Sequence, residues 1–397
     1  MPGTQPETAM PSAITSLLIW VAVGILIGGL VYFVLPKAPQ PTSPTLQNTT
    51  PQAPPSNATA VQGITVTMIS EPRCPACNST KYLLAQLVDA APKLKLNVTA
   101  VTQLDSNSAE AQALISKYSI KLLPSFIVSK EAGSSSDFTS AWSSIGSEES
   151  DGSFVFRKVY PPYFDVETGA AVGFVDLTEI PPADCEDCFN TSQFTSFLTG
   201  DQVAMVLRNQ AVLVPGSAEA KALIARYNIT RLPALLLSKD AGAYPYIDQE
   251  WPQLGTVASD GTYVFSGLVP PYADLTKNGA IEGRVTLVEL IDPSCKACYD
   301  VSLHYQSLRQ SFGMVVTNRT TYYTNTTAGK ALLAKYNITL LPTIVLSPDA
   351  ALYPGFNQSW SKIGTAEKDG WLVMRNLDTL GVVYMNLTSG NVMNGTA

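Results

Sequence analysis

Three Cys-x-x-Cys pairs, Cys74/Cys77, Cys185/Cys188 and Cys295/Cys298, hold all six cysteines of this 397-residue chain, and their first members are 111 and 110 residues apart. A Leu-Pro follows each pair by about fifty residues, and its prolines, Pro124, Pro233 and Pro342, are each 109 apart. So regular a period means one domain written three times. About 110 residues is enough for a domain with its own core, so three small cores are expected.

Hydrophobic periodicity gives the same element order in every copy. In the third, an apolar run, Arg284 to Ile291, leads to Cys295 and Cys298 and then to a helical pattern through Leu303 and Leu308. A second strand is predicted at Met314 to Tyr323, a second helix from Thr327 to Tyr336, and a strand at Thr343 to Leu346 directly after Pro342. Ala109 to Tyr118 and Ala218 to Tyr227 are the matching second helices. Each copy then passes a tryptophan (Trp142, Trp251, Trp360) and an Asp-Gly turn at Asp151, Asp260 or Asp369 before one more strand. The segment between proline strand and turn carries no readable pattern.

With the proline at the entrance of the third strand, this order resembles the thioredoxin fold. Tyr118 to Ser125, Tyr227 to Ala234 and Tyr336 to Thr343 are similar to the Tyr-Gly-Ile-x-x-Ile-Pro-Thr segment of thioredoxins. The resemblance implies an α/β chain of three tandem thioredoxin-like domains, with cis peptides before Pro124, Pro233 and Pro342. It assigns Cys74, Cys185 and Cys295 as attacking thiols and Cys77, Cys188 and Cys298 as the thiols that resolve the mixed disulfide. It also places a proton-transferring carboxylate six residues before the first cysteine, where Glu179 and Glu289 stand and where the first copy has Met68. No cofactor is called for, the redox groups being the cysteine pairs themselves, and no metal site is expected from pairs so far apart.

A cysteine at a helix N-terminus gains thiolate character from unpaired N–H groups and the helix dipole. Neighbouring charge should then set the copies apart. Arg73 places a cation beside Cys74, and Lys296 stands between Cys295 and Cys298. Asp184, Glu186 and Asp187 surround Cys185, which predicts the least oxidising pair. The third copy, with both cation and glutamate, is the first choice for an active site. His304 reads as a surface helix residue.

The remainder of the chain concerns place. Residues 1–13 form a short tail, and residues 14–35 carry no charge over a length that spans a hydrocarbon core of about 30 Å as a helix. Residues 36–60 hold seven prolines and almost nothing apolar, the composition of an extended stalk. The repeats then occupy 61–168, 169–278 and 279–397. Twelve of seventeen asparagines lie in Asn-x-Ser/Thr sequons, namely Asn48, Asn57, Asn78, Asn97, Asn190, Asn228, Asn318, Asn325, Asn337, Asn357, Asn386 and Asn394. Chance would give about three or four, so the excess predicts a glycosylated, extracytoplasmic face. Asn228 and Asn337 also suit a left-handed helix end. Such loading on a stalk resembles archaeal envelope proteins.

A net charge of −7 without a basic cluster argues against nucleic acid as a partner. The expected partners are the membrane, thiols and disulfides of extracytoplasmic proteins, and other copies in a surface assembly. Two functions stay open on these residues: a membrane-anchored thiol–disulfide oxidoreductase, and a glycosylated surface or filament protein whose disulfides are structural.

Overall fold

The computed structural model describes residues 62–396. The anchor and stalk segments, with Asn48 and Asn57, lie outside the described residues. No helix among the described residues is long and apolar enough to cross a membrane.

Three mixed five-stranded sheets follow one another, each built to one plan. In the first repeat the opening strand Gln62–Ser70 pairs parallel with the edge strand Leu96–Asp105 and antiparallel with Ser125–Val128, the strand after the proline. The short strands Phe154–Phe156 and Gly146–Glu148 complete the sheet. The second and third repeats reproduce this order around Phe174–Ile180 and Arg284–Ile291. A parallel pair needs a crossover, which the helix Ser79–Ala90 supplies here. This is the thioredoxin-like arrangement, repeated in tandem.

Alternation along the opening strand divides the core into two layers. Ile64, Val66 and Met68 join Phe126, Val128 and Trp142 on the face of the first helix, while Ile69, Ile127 and Val155 meet Ala111, Ile115 and Tyr118 on the face of the second. Because both faces are covered, Ser125–Val128, Ala234–Leu237 and Thr343–Leu346 are buried at every position. The repeated tryptophans sit on helices in the stretch that carried no readable pattern, Ser136–Trp142, Pro245–Leu254 and Phe356–Ile363. Each indole N–H donates to a carbonyl five residues on, at Ser147, Thr256 and Thr365. Truncating such a side chain costs about 3–5 kcal/mol.

The Asp-Gly turns have a partner as well. Asp151, Asp260 and Asp369 accept a hydrogen bond from the hydroxyl of Tyr118, Tyr227 and Tyr336, at 2.9, 2.9 and 3.0 Å, and each pairs with the preceding Lys117, Arg226 or Lys335. This clamp ties the second helix to the sheet in all three copies.

A second, three-stranded sheet in each repeat has no counterpart in the sequence reading. In the first, Leu122–Leu123 pairs with Tyr163–Asp165, which pairs with Ala170–Val172. Leu340–Leu341, Val383–Asn386 and Asn391–Asn394 form it in the third. The first strand of each lies just before the proline and the other two follow the last strand of the main sheet, and in the first two repeats the last of them leads straight into the next repeat. Gly173 alone separates Ala170–Val172 from Phe174–Ile180, and Gly283 alone separates Ala280–Glu282 from Arg284–Ile291. Both glycines have φ of 93°, and a Cβ on Gly173 would lie 2.6 Å from that of Pro161, in the cis Pro161-Pro162 pair.

Candidate functional site

Each cysteine pair is a closed disulfide in the turn after the opening strand, with Cα atoms 5.3, 5.4 and 5.5 Å apart in chain order. Leu123-Pro124, Leu232-Pro233 and Leu341-Pro342 are cis, as the resemblance implied. The helices start later than expected. They begin at Ser79, Thr191 and Leu303, two, three and five residues beyond the second cysteine. The helical dipole therefore reaches these sulfurs from outside the first turn, where its effect falls away. Asn190 is one reason, since its side chain caps the second repeat's helix by accepting from the Ser192 N–H at 3.0 Å.

Exposure separates the sites. Cys74 and Cys77 are 4% and 5% exposed and belong to the apolar cluster beneath the second helix, whereas Cys185, Cys188, Cys295 and Cys298 are half-buried. Arg73 is not a free cation beside the first pair. Its guanidinium donates to Glu71 at 2.7 and 2.9 Å and lies 4.3 Å above the ring of Phe164. Glu71 also accepts from the Arg73 N–H and from the Ser106 hydroxyl, and the bond from the Arg73 side chain holds its carboxyl down to about 2. Sequence reasoning missed Glu71. A buried carboxylate is marked only by the pairing that burial demands, and that pairing is tertiary in part.

The residue six positions before each first cysteine lies under the helix start. In the first repeat Met68 is buried there, and the Thr80 hydroxyl donates instead to the carbonyl of Pro124 at 2.8 Å. In the second, Thr191 at the equivalent helical position donates to Glu179, whose carboxyl is pushed up by burial. In the third, Glu289 is 3% exposed and both of its oxygens are bonded, to Arg319 at 2.6 and 2.9 Å and to Thr321 at 2.8 Å. The hydrogen bonds of Glu289 thus run to the edge strand Val315–Tyr323 and not to either cysteine.

His304 is not a surface residue. It is half-buried, burial pushes its pKa down, and its Nε2 lies 3.1 Å from the Tyr299 hydroxyl, which donates to the carbonyl of Pro342 at 3.1 Å. A carbonyl only accepts, so the tyrosine proton points at Pro342 and the imidazole must donate from Nε2. Cys298 Sγ lies 3.8 Å from the Leu341 carbonyl, one residue away. Lys296, between the cysteines, is exposed. No group of three or more His, Cys, Asp or Glu side chains that could hold a metal occurs among the described residues.

No protein-family model matches this chain, and no curated protein matches it. Solved structures do. ERdj5 in its form II is similar at 13% identity over 76% of this chain and 40% of that one, with a TM-score of 0.14. Human ERp44 in its form II is similar at 10% identity over 75% and 83%, with a TM-score of 0.15. AhpF, from the alkylhydroperoxide reductase of Enterococcus faecalis, matches at 18% identity over 44% and 81%, with a TM-score of 0.13. This chain spans about two fifths of the ERdj5 chain it matches. At these scores the fold assignment rests on the strand order, the disulfides and the cis prolines described above.

Of the ten sequon asparagines among the described residues, Asn78, Asn97, Asn190, Asn228, Asn318, Asn325, Asn337, Asn357 and Asn394 are exposed and Asn386 is half-buried. Asn228 and Asn337 have φ of 51° and 49°, the left-handed conformation their place after the helix calls for.

Proposed function

We propose that this protein is a thiol–disulfide oxidoreductase working through its second and third repeats, held by residues 14–35 at a membrane with its repeats on the extracytoplasmic side. The observation that carries the reading is the half-exposed Cys295–Cys298 disulfide, with Cys298 Sγ 3.8 Å from the Leu341 carbonyl and exposed Lys296 between the two cysteines. In the reduced state the Cys295 thiolate attacks one sulfur of a substrate disulfide and expels the other as a thiolate. Cys298 then attacks Cys295 Sγ, releasing the second substrate sulfur and restoring the protein disulfide. Running in reverse, the same steps oxidise a substrate dithiol. The exposed sequons and the charge-free 14–35 segment support the location, and deglycosylation with a fall in apparent mass tests it.

The reduction potential of each pair, read by peptide-resolved mass spectrometry on the full chain, tests the activity. Values between about −270 and −120 mV for the second and third pairs are expected, and values below about −300 mV would mark inert disulfides. For the first repeat the second reading is favoured, that of a structural disulfide in a surface protein, because Cys74 and Cys77 are sealed in the core.

A further inference from the structure

Arg284 opens the first strand of the third repeat, yet its guanidinium belongs to the second repeat's site. Its Nε lies 3.0 and 3.2 Å from the two oxygens of Asp187, and its Nη2 lies 2.5 Å from Asp187 Oδ1 and 3.8 Å from Cys185 Sγ. Asp187 Oδ1 is itself 3.4 Å from that sulfur. One sulfur thus has a cation and an anion within 4 Å, and the two are bound to each other.

The placement is built in. Gly283, at φ of 93°, has no room for a Cβ against Pro270, and its N–H donates to Asp349 Oδ1 of the third repeat at 2.7 Å. Arg284 is therefore fixed between two repeats. At the equivalent position of the second repeat stands Phe174, which packs on the cluster that holds Cys74 and Cys77. The residue that opens the second repeat thus packs an aromatic ring on the cluster around the preceding disulfide, and the one that opens the third sets a guanidinium beside it. Among the described residues, no arginine or lysine hydrogen-bonds to the sulfur of Cys295 or Cys298.

We infer that Arg284 is a positioning residue for the second disulfide: a cation supplied by the following repeat, which neutralises Asp187 and stabilises the Cys185 thiolate once the pair is reduced. The inference rests on the exchange activity proposed above. A dithiol donor reduces Cys185–Cys188 with two electrons and is itself oxidised to a disulfide. Cys185 then loses its proton to water beside Arg284. The thiolate attacks one sulfur of a substrate disulfide and expels the other as a thiolate. Cys188, losing its proton to water, then attacks Cys185 Sγ, which releases the second substrate sulfur as a thiolate and restores the protein disulfide. The hydrogen bonds from Arg284 also pull the Asp187 carboxyl below the usual range, so the anion is present and its field is cancelled. The acidic stretch that makes this pair read as the least oxidising is thereby corrected from the neighbouring repeat.

The test is the pH dependence of iodoacetamide labelling at each cysteine of the reduced full chain, resolved by peptide mass spectrometry. Arg284→Gln is expected to raise the Cys185 midpoint by about one pH unit, as loss of a neighbouring opposite charge does, and to leave the Cys295 midpoint in place. Arg284→Lys restores most of the shift, and Asp187→Asn moves the midpoint downward. Against a glutathione buffer, Arg284→Gln makes the second disulfide about tenfold harder to reduce, equal to about 30 mV. An unchanged Cys185 midpoint in Arg284→Gln, with only the junction loosened to protease, overturns the inference and leaves the arginine as a strap. Should Arg284→Gln fail to fold, an unchanged midpoint in Asp187→Asn overturns it equally. If the midpoints move as expected but no pair exchanges with a protein disulfide, the activity fails while the role of Arg284 stands.

Discussion

The first and third repeats share a motif, a fold and a cis proline, and they differ in what surrounds the sulfurs. In the first, Cys74 and Cys77 are buried in a cluster with Phe164, against which Phe174 packs, and the neighbouring Arg73 is bound to Glu71 and lies over the Phe164 ring. In the third, the disulfide is half open, with the Tyr299 hydroxyl bonded to the neighbouring proline carbonyl and to His304, and Lys296 in solvent. The difference teaches that CxxC and proline fix where a disulfide forms, whereas a handful of residues outside the motif decide how far solvent can reach it.

The largest expected effect is on access. After mild reduction Cys295 should alkylate at least about a hundredfold faster than Cys74, because labelling in the first repeat must wait for local opening. Equal rates would break the comparison. Glu71→Gln should next cost the first repeat about 2 kcal/mol in denaturant unfolding, since it removes a charged acceptor that serves Arg73 and Ser106. Because Arg73 holds the folded carboxyl down to about 2, the carboxylate's contribution is full above the unfolded value of about 4.3 and fades as pH falls through about 2. The gap between wild type and variant should shrink over that window.

Tyr299→Phe should cost the third repeat about 1 kcal/mol by freeing the Pro342 carbonyl and His304. Burial lowers the His304 pKa, so the unfolded chain binds the proton more readily and the third repeat should lose stability as pH drops below about 6.5. A loss on acidification that is the same in His304→Gln would locate it elsewhere. Smallest, and of opposite sign, Glu179→Gln should stabilise the second repeat by under about 1 kcal/mol at neutral pH. Burial raises the Glu179 pKa, so ionisation costs stability only above the usual carboxylate range, and the gain should vanish below about pH 4.

Much of the fold was legible because it is repeated and periodic. The second helices predicted at 109–118, 218–227 and 327–336 end within one residue of Ala109–Lys117, Ala218–Arg226 and Thr327–Tyr336. The three-stranded sheets were not legible, since strands of two to four residues such as Leu122–Leu123 and Ala170–Val172 are too short to show alternation. At the sites, the cysteines and the prolines could be read from spacing, and the buried placement of Glu289 from the resemblance to thioredoxins. Arg73 and Arg284 could not: one charge is neutralised by a buried neighbour, and the other acts on a sulfur 99 residues earlier. Proximity in sequence gave Arg73 the wrong surroundings and gave Arg284 none, because burial and pairing are settled only in three dimensions.

The single-glycine junctions at Gly173 and Gly283 bear on how such a chain can change over generations. With no linker to absorb rearrangement, a repeat that is duplicated, deleted or exchanged carries its first strand into contact with a different predecessor. Inserting a copy of the second repeat after the third would lay a phenylalanine where none now lies, and removing the third would strip the second of its guanidinium. Order along the chain is thus part of the chemistry, and the third repeat is inherited together with one residue of its neighbour's site.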